Sequence, residues 1–111
     1  MAPTAAALDV LVVEDHVPDQ VLVREALSDA PDLHARLHLV ESLEAALTHV
    51  GRDPPDAVLL DLGLPDSRGI ETFRRLRSVG DPLPIVVLSG WADQETALAA
   101  IREGAQDYLY K

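Results

Sequence analysis

The sequence predicts an α/β domain built on a doubly wound parallel sheet, and three observations carry that reading. Short, wholly apolar β-branched runs alternate with stretches of helical periodicity, which is the sequence form of βαβ units. Turn-forming Pro, Gly and Asp clusters fall between the two kinds of segment. A length of 111 residues with 48% hydrophobic content is enough for one core and one domain. The expected boundaries are a loose Ala-rich tail over 1–8 and a single domain over 9–111.

Val10-Leu11-Val12-Val13 opens the domain as a strand buried on both faces, because no residue in it is polar. A helix follows from near Pro18, a residue tolerated in a first turn, and is expected to bury Val23, Ala26 and Leu27. Arg36-Leu37-His38-Leu39-Val40 alternates polar with apolar and reads as an edge strand. Ser42 is the expected N-cap of a second helix, with Leu43, Ala46, Leu47 and Val50 spaced i, i+3, i+4 and i+7. Past Asp53-Pro54-Pro55-Asp56 comes a second apolar strand, Ala57-Val58-Leu59-Leu60. Leu64-Pro65-Asp66-Ser67 leads to a third helix after Gly69, which turns Ile70, Phe73 and Leu76 inward and leaves Arg74, Arg75 and Arg77 in water. Gly80-Asp81-Pro82 precedes the strand Ile85-Val86-Val87-Leu88. The fourth helix is expected to be capped by Asp93, to carry Ala97, Leu98 and Ile101 on one side, and to stop at Gly104. Tyr108-Leu109-Tyr110 is the fifth strand, and no residues remain for a fifth helix. One sheet face, covered by the first helix alone, is therefore expected to expose apolar surface and to favour dimerisation, helix exchange or low stability.

Composition narrows the chemistry. Nineteen acids against nine bases give a formal charge of -10, which disfavours nucleic acid or an anionic membrane as partner. The lack of cysteine excludes a disulfide framework, a thiolate zinc site and a cysteine nucleophile. It also fits a reducing, cytoplasmic compartment. His16, His34, His38 and His49 lack metal-ligand spacing. The apolar runs are too short to span a bilayer, and residues 1–8 lack the basic start of a secretory segment.

The strands end on polar residues: Glu14 and Asp15 after Val13, Asp61 after Leu60, Ser89 after Leu88, and Lys111 after Tyr110. Ligands of open parallel sheets bind at the carboxyl ends of the strands, so these side chains meet at one rim. Crowded carboxylates raise one another's pKa unless a cation lies between them. An all-oxygen set without histidine or thiolate suits magnesium, which shares its shell readily with a phosphoryl group. A lysine and a hydroxyl facing that ion complete a phosphoryl cradle, and one carboxylate could be the nucleophile that forms an acyl phosphate.

Four stretches carry a more specific likeness: VLVVED from Val10 to Asp15, LLDLGLPD from Leu59 to Asp66 with Gly69 following, VVLSG from Val86 to Gly90, and GAQDYLYK from Gly104 to Lys111. In order and spacing the chain resembles the receiver domain of two-component response regulators from Asp9 onward. The resemblance implies a five-stranded, flavodoxin-like sheet of order 2-1-3-4-5, lacking its fifth helix. It implies that Asp61 accepts a phosphoryl group from a histidine kinase or histidine phosphotransfer protein. Asp15 and Asp61 would hold Mg2+, with Glu14 through water and the Gly63 backbone carbonyl as further ligands. Ser89 would hydrogen-bond the phosphoryl oxygen, Lys111 would pair with its charge, and Tyr108 would swing inward on activation. Gly90 matches a position where a small residue lets donor and water approach. Glu at 14 and Ser at 89 replace the commoner Asp and Thr without changing the chemistry. Gly63 presents no side chain to incoming water, which is expected to affect the dephosphorylation rate.

Plainer readings stand beside these. Glu14-Asp15 alone is a loop acid pair, Lys111 alone a terminal lysine, Asp61 or Ser89 alone a cap, Tyr108 alone core, and Trp91 packing or a partner contact. The main alternative function is a pseudo-receiver acting as a phosphorylation-independent docking module. A haloacid-dehalogenase-type hydrolase expects a second Asp where Gly63 stands, and a flavodoxin-type flavin domain expects a Ser/Thr-rich loop after the first strand. A homodimer through the fourth helix and fifth strand, or through the exposed sheet face, is a further expectation.

Overall fold

The computed structural model describes residues 7–29, 34–79, 83–90 and 93–111; Trp91, the Gly80-Asp81-Pro82 break and residues 1–6 lie outside them. Five strands, β1 (Leu8–Val13), β2 (Ala35–Val40), β3 (Ala57–Asp61), β4 (Ile85–Ser89) and β5 (Asp107–Tyr110), alternate with four helices, α1 (Val17–Ser28), α2 (Leu43–Arg52), α3 (Ile70–Val79) and α4 (Gln94–Arg102). All strand pairs are parallel and the order is β2-β1-β3-β4-β5, as expected. Leu8, assigned to the tail from the sequence, instead pairs with Ala35 and donates its N–H to the His34 carbonyl at 2.7 Å.

Alternation along the strands divides the core in two. Leu11, Val13, Val58, Leu60, Ile85 and Val87 pack under α2, α3 and α4, around Phe73 and Leu76. Val10, Val12, Leu59 and Leu88 face the other way, against Val23 and Leu27 of α1. The second layer is thin. No residue of α1 is fully buried, and Ala26, expected inside, is exposed. The reason is that α1 is the only helix among the described residues packed on that face. Beside it runs an apolar groove of about 360 Å³ lined by Leu22, Val23, Leu59, Leu88 and Leu109. β5 lies at the open edge with all four residues exposed.

One helix end and one helix face depart from expectation, and two helix ends match it. Ser42 Oγ accepts the Ala45 N–H at 3.1 Å and caps α2. Gly104, at φ +114°, ends α4 and lets the Ala105 N–H return to the Ala100 carbonyl at 2.9 Å. Asp93 precedes α4 without a side-chain cap, its backbone N–H bonding the Gly90 carbonyl instead. Leu98 is exposed, and Ala97 and Ala100 with Ile101 form the inner side of α4, because i, i+3 and i+4 follow the helix repeat. No helix among the described residues is long and apolar enough to cross a membrane.

Candidate functional site

Strand register assembles the site. Val13 is level with Leu60, so the residues that follow, Glu14 and Asp61, arrive side by side. Ser89 is level with Tyr110, and the Lys111 N–H donates to the Ser89 carbonyl at 2.8 Å, extending the ladder one residue further. A one-residue slip of any strand would send these side chains to the opposite face.

Carboxylate oxygens of Glu14, Asp15 and Asp61 all lie within 4.8 Å of one another. Glu14 is fully buried and Asp61 is 5% exposed, and buried charge of one sign calls for a cation beside it. Lys111 supplies one: its Nζ stands 2.8 Å from Glu14 Oε2 and 3.0 Å from Asp61 Oδ2. Glu14 Oε1 accepts the His16 N–H at 3.0 Å, and Asp61 Oδ1 accepts the Gly63 N–H at 3.0 Å. The polar neighbour of the buried Glu14 Oε2 is Lys111 Nζ, poorly aligned for a hydrogen bond, so the contact is chiefly one of charge and leaves the oxygen able to accept more. Hard oxygens at this spacing, one of them unsatisfied, fit a divalent cation of the magnesium type.

Burial raises the Glu14 pKa above the ordinary carboxylate value and Asp61 adds to the rise, against the opposing pull of Lys111. Burial also works against the Lys111 ammonium, but its bonds to Glu14 and Asp61 prevail and hold its pKa above that of an ordinary lysine.

The remaining expected residues are nearby but engaged differently. Ser89 is buried, and its hydroxyl donates to the Gly90 carbonyl at 3.2 Å rather than capping α4. Tyr108 is 38% exposed and is not core, because the edge strand has no outer neighbour among the described residues. Gly63 lies beside the acceptor, and a Cβ there would stand in ordinary contact with Asp61 Oδ1, at 3.9 Å. The loop after β3 is drawn tight by Gly69, at φ +75°, whose N–H reaches the Leu62 carbonyl at 2.8 Å.

Three residues in this region have roles that the sequence did not suggest. Asp19, in the first turn of α1, lies 3.3 Å from Lys111 Nζ and 2.9 Å from His16 Nδ1. Gln20 Nε2 donates to the Glu14 carbonyl at 2.7 Å. Asp66 receives the N–H groups of Leu43 and Glu44, each at 2.9 Å, and so caps α2 from a loop more than twenty residues away. Position in the first helical turn beside the strand-end acids was a signal for Asp19; nothing local signals the Asp66 contact.

The model of the response regulator receiver domain family matches residues 10–111. The KDP operon transcriptional regulatory protein KdpE of Escherichia coli is 38% identical over 103 residues, which are 93% of this chain and 44% of that protein. The chain thus spans less than half the length of this curated relative. NtrX from Brucella abortus superposes with a TM-score of 0.80 at 34% identity, covering 96% of this chain and 23% of NtrX. The receiver domain of the sensor histidine kinase PA1611 from Pseudomonas aeruginosa PAO1, whose structure has a magnesium ion coordinated in the active-site cleft, superposes with a TM-score of 0.78 at 32% identity. There the match covers 96% of this chain and 86% of the other.

Proposed function

Because the chain belongs to the response regulator receiver domain family, a class of signalling switches, we propose that it accepts a phosphoryl group on Asp61 from a phosphohistidine of a histidine kinase or histidine phosphotransfer protein. The observation that carries this reading is the convergence of Lys111 from the edge of the sheet onto Glu14 and Asp61, at 2.8 and 3.0 Å.

An Asp61 carboxylate oxygen attacks the phosphorus, the new O–P bond forms as the P–N bond of the donor breaks, and the leaving imidazole nitrogen takes a proton. The Gly63 N–H holds one Asp61 oxygen and so fixes the plane of the nucleophile. Lys111 balances charge on the phosphoryl oxygens. Asp15 and Asp61, with the Gly63 carbonyl and with Glu14 through water, would hold Mg2+; when bound, the ion neutralises charge shared by the carboxylates and the transferred group. Ser89 exchanges its bond to the Gly90 carbonyl for one to a phosphoryl oxygen, and Tyr108, on the next strand, moves inward as the rim contracts. Hydrolysis of the acyl phosphate resets the switch, with Gly63 leaving the approach to Asp61 open.

Self-association belongs to the same proposal, through the face of α4 and β5 or through the apolar groove beside α1. Sedimentation at high concentration is expected to reveal dimers, and a strictly monomeric mass overturns this part.

Incubation with Mg2+ and a small acyl phosphate should add one phosphoryl mass, and Asp61→Asn should take none. A wild-type chain left unmodified by the small donor and by a phosphorylated kinase alike rejects the reading in favour of a docking module.

A further inference from the structure

Lys111 has three N–H donors, and three carboxylates stand around them: Glu14 at 2.8 Å, Asp61 at 3.0 Å and Asp19 at 3.3 Å. A phosphoryl oxygen arriving on Asp61 must compete for this ammonium with the carboxylates around it, and of the three it is Asp19 that accepts an aligned hydrogen bond from Nζ. Glu14 is a poor one to lose, because its Oε2 is buried and has no other partner, so its release would strand a buried charge. Asp61 carries the incoming group itself. Asp19 differs from both. Its side chain is 20% exposed, so water can replace the lysine, and the same Oδ2 keeps a second partner in His16 Nδ1 at 2.9 Å. Asp19 is also fixed to the first turn of α1, so its carboxylate cannot follow Lys111 toward the acceptor.

We propose that Asp19 is a positioning residue that holds Lys111 in the unmodified protein and gives it up to the phosphoryl group, acting as a brake on phosphoryl binding. The inference rests on the phosphoacceptor reading of Asp61. Two effects act in the same direction: Asp19 competes for the ammonium, and its negative charge lies close to the path of a dianionic group.

Lys111 is the one lysine of the chain, so labelling with 15N-lysine gives a single side-chain Nζ resonance that reports this contact directly. Beryllofluoride serves as the phosphoryl probe, titrated into the full chain at saturating Mg2+. Asp19→Asn is expected to shift the Nζ resonance of the unliganded protein and to tighten beryllofluoride binding about three- to fivefold, the size of a partly exposed ion pair. Asp19→Glu, which keeps the charge within reach, is expected to restore both toward wild type. An unmoved Nζ resonance in Asp19→Asn, or affinity that is unchanged or weaker, overturns the proposal. A purely structural role would change thermal stability and leave the resonance and the affinity in place. A wild type that binds no beryllofluoride and takes no phosphoryl mass overturns instead the reading of Asp61 on which the inference rests.

Discussion

Lys111 carries two loads, and they separate with pH. Its ammonium offsets the burial of Glu14 and Asp61, and both carboxylates hold its pKa above the ordinary 10.5. A raised lysine pKa contributes stability that is fully present below the unfolded value and is lost as pH rises through the folded one. Lys111→Met should therefore cost about 1–3 kcal/mol at neutral pH, the penalty of leaving a buried polar group without its partner where the lysine itself is partly exposed. Glu14, raised by burial, is then an unpaired buried anion, so the variant should regain stability as pH falls through the raised Glu14 value. Urea midpoints measured across pH for both proteins check this; parallel curves would show that Lys111 does not compensate Glu14.

Elements differ in how firmly they are tied. α2 has its first N–H groups satisfied twice, by Ser42 from within and by Asp66 from the loop after β3. The bond from the Leu43 N–H, helped by that from Glu44, lowers the Asp66 pKa. A lowered carboxylate pKa gives stability present above the unfolded value near 3.8 and lost as pH falls through the folded one. Asp66→Ala should cost about 1 kcal/mol at pH 7, as other cap deletions do, and the deficit should vanish in acid; equal deficits at pH 7 and below pH 3 would contradict it. α1 is the opposite case, with no fully buried residue along its 12. Its amides are expected to exchange with solvent well before those of β1, β3 and β4. Equal protection of α1 and the central strands, read by hydrogen-exchange mass spectrometry, would mean that the thin second layer holds better than its burial indicates.

At the scale of the whole molecule, a charge of -10 opposes compaction, and part of it is concentrated at one rim. A divalent cation bound only by the folded chain relieves that concentration. At a concentration a hundred times its dissociation constant it should add about 2.7 kcal/mol of stability. Thermal melts with and without Mg2+ should therefore separate for the wild type, and the separation should collapse in Asp15→Asn. Coincident melts in the wild type would argue against a metal at this rim.

The parallel sheet and the strand-end acids were legible because uninterrupted apolar runs force burial on both faces and parallel pairing, and because strand ends placed Glu14, Asp15, Asp61, Ser89 and Lys111 at one rim; the strand order came from the resemblance to receiver domains. What local sequence does not encode is contact across distant segments. The inward side of α4 passes through Ala100 rather than Leu98, as the helix repeat from Ala97 requires, whereas Ala26 of α1 lies exposed despite its spacing, since burial depends also on which neighbours cover a helix. Asp66 caps a helix that precedes it in the chain, and Asp19 shares a lysine 92 residues away. By itself the sequence determined the fold class and which side chains end the strands at one rim, through patterns set within each segment. Only the tertiary structure decided how the single lysine is divided among three carboxylates, because that division depends on distances between β1, β3, β5 and α1 that no segment specifies alone.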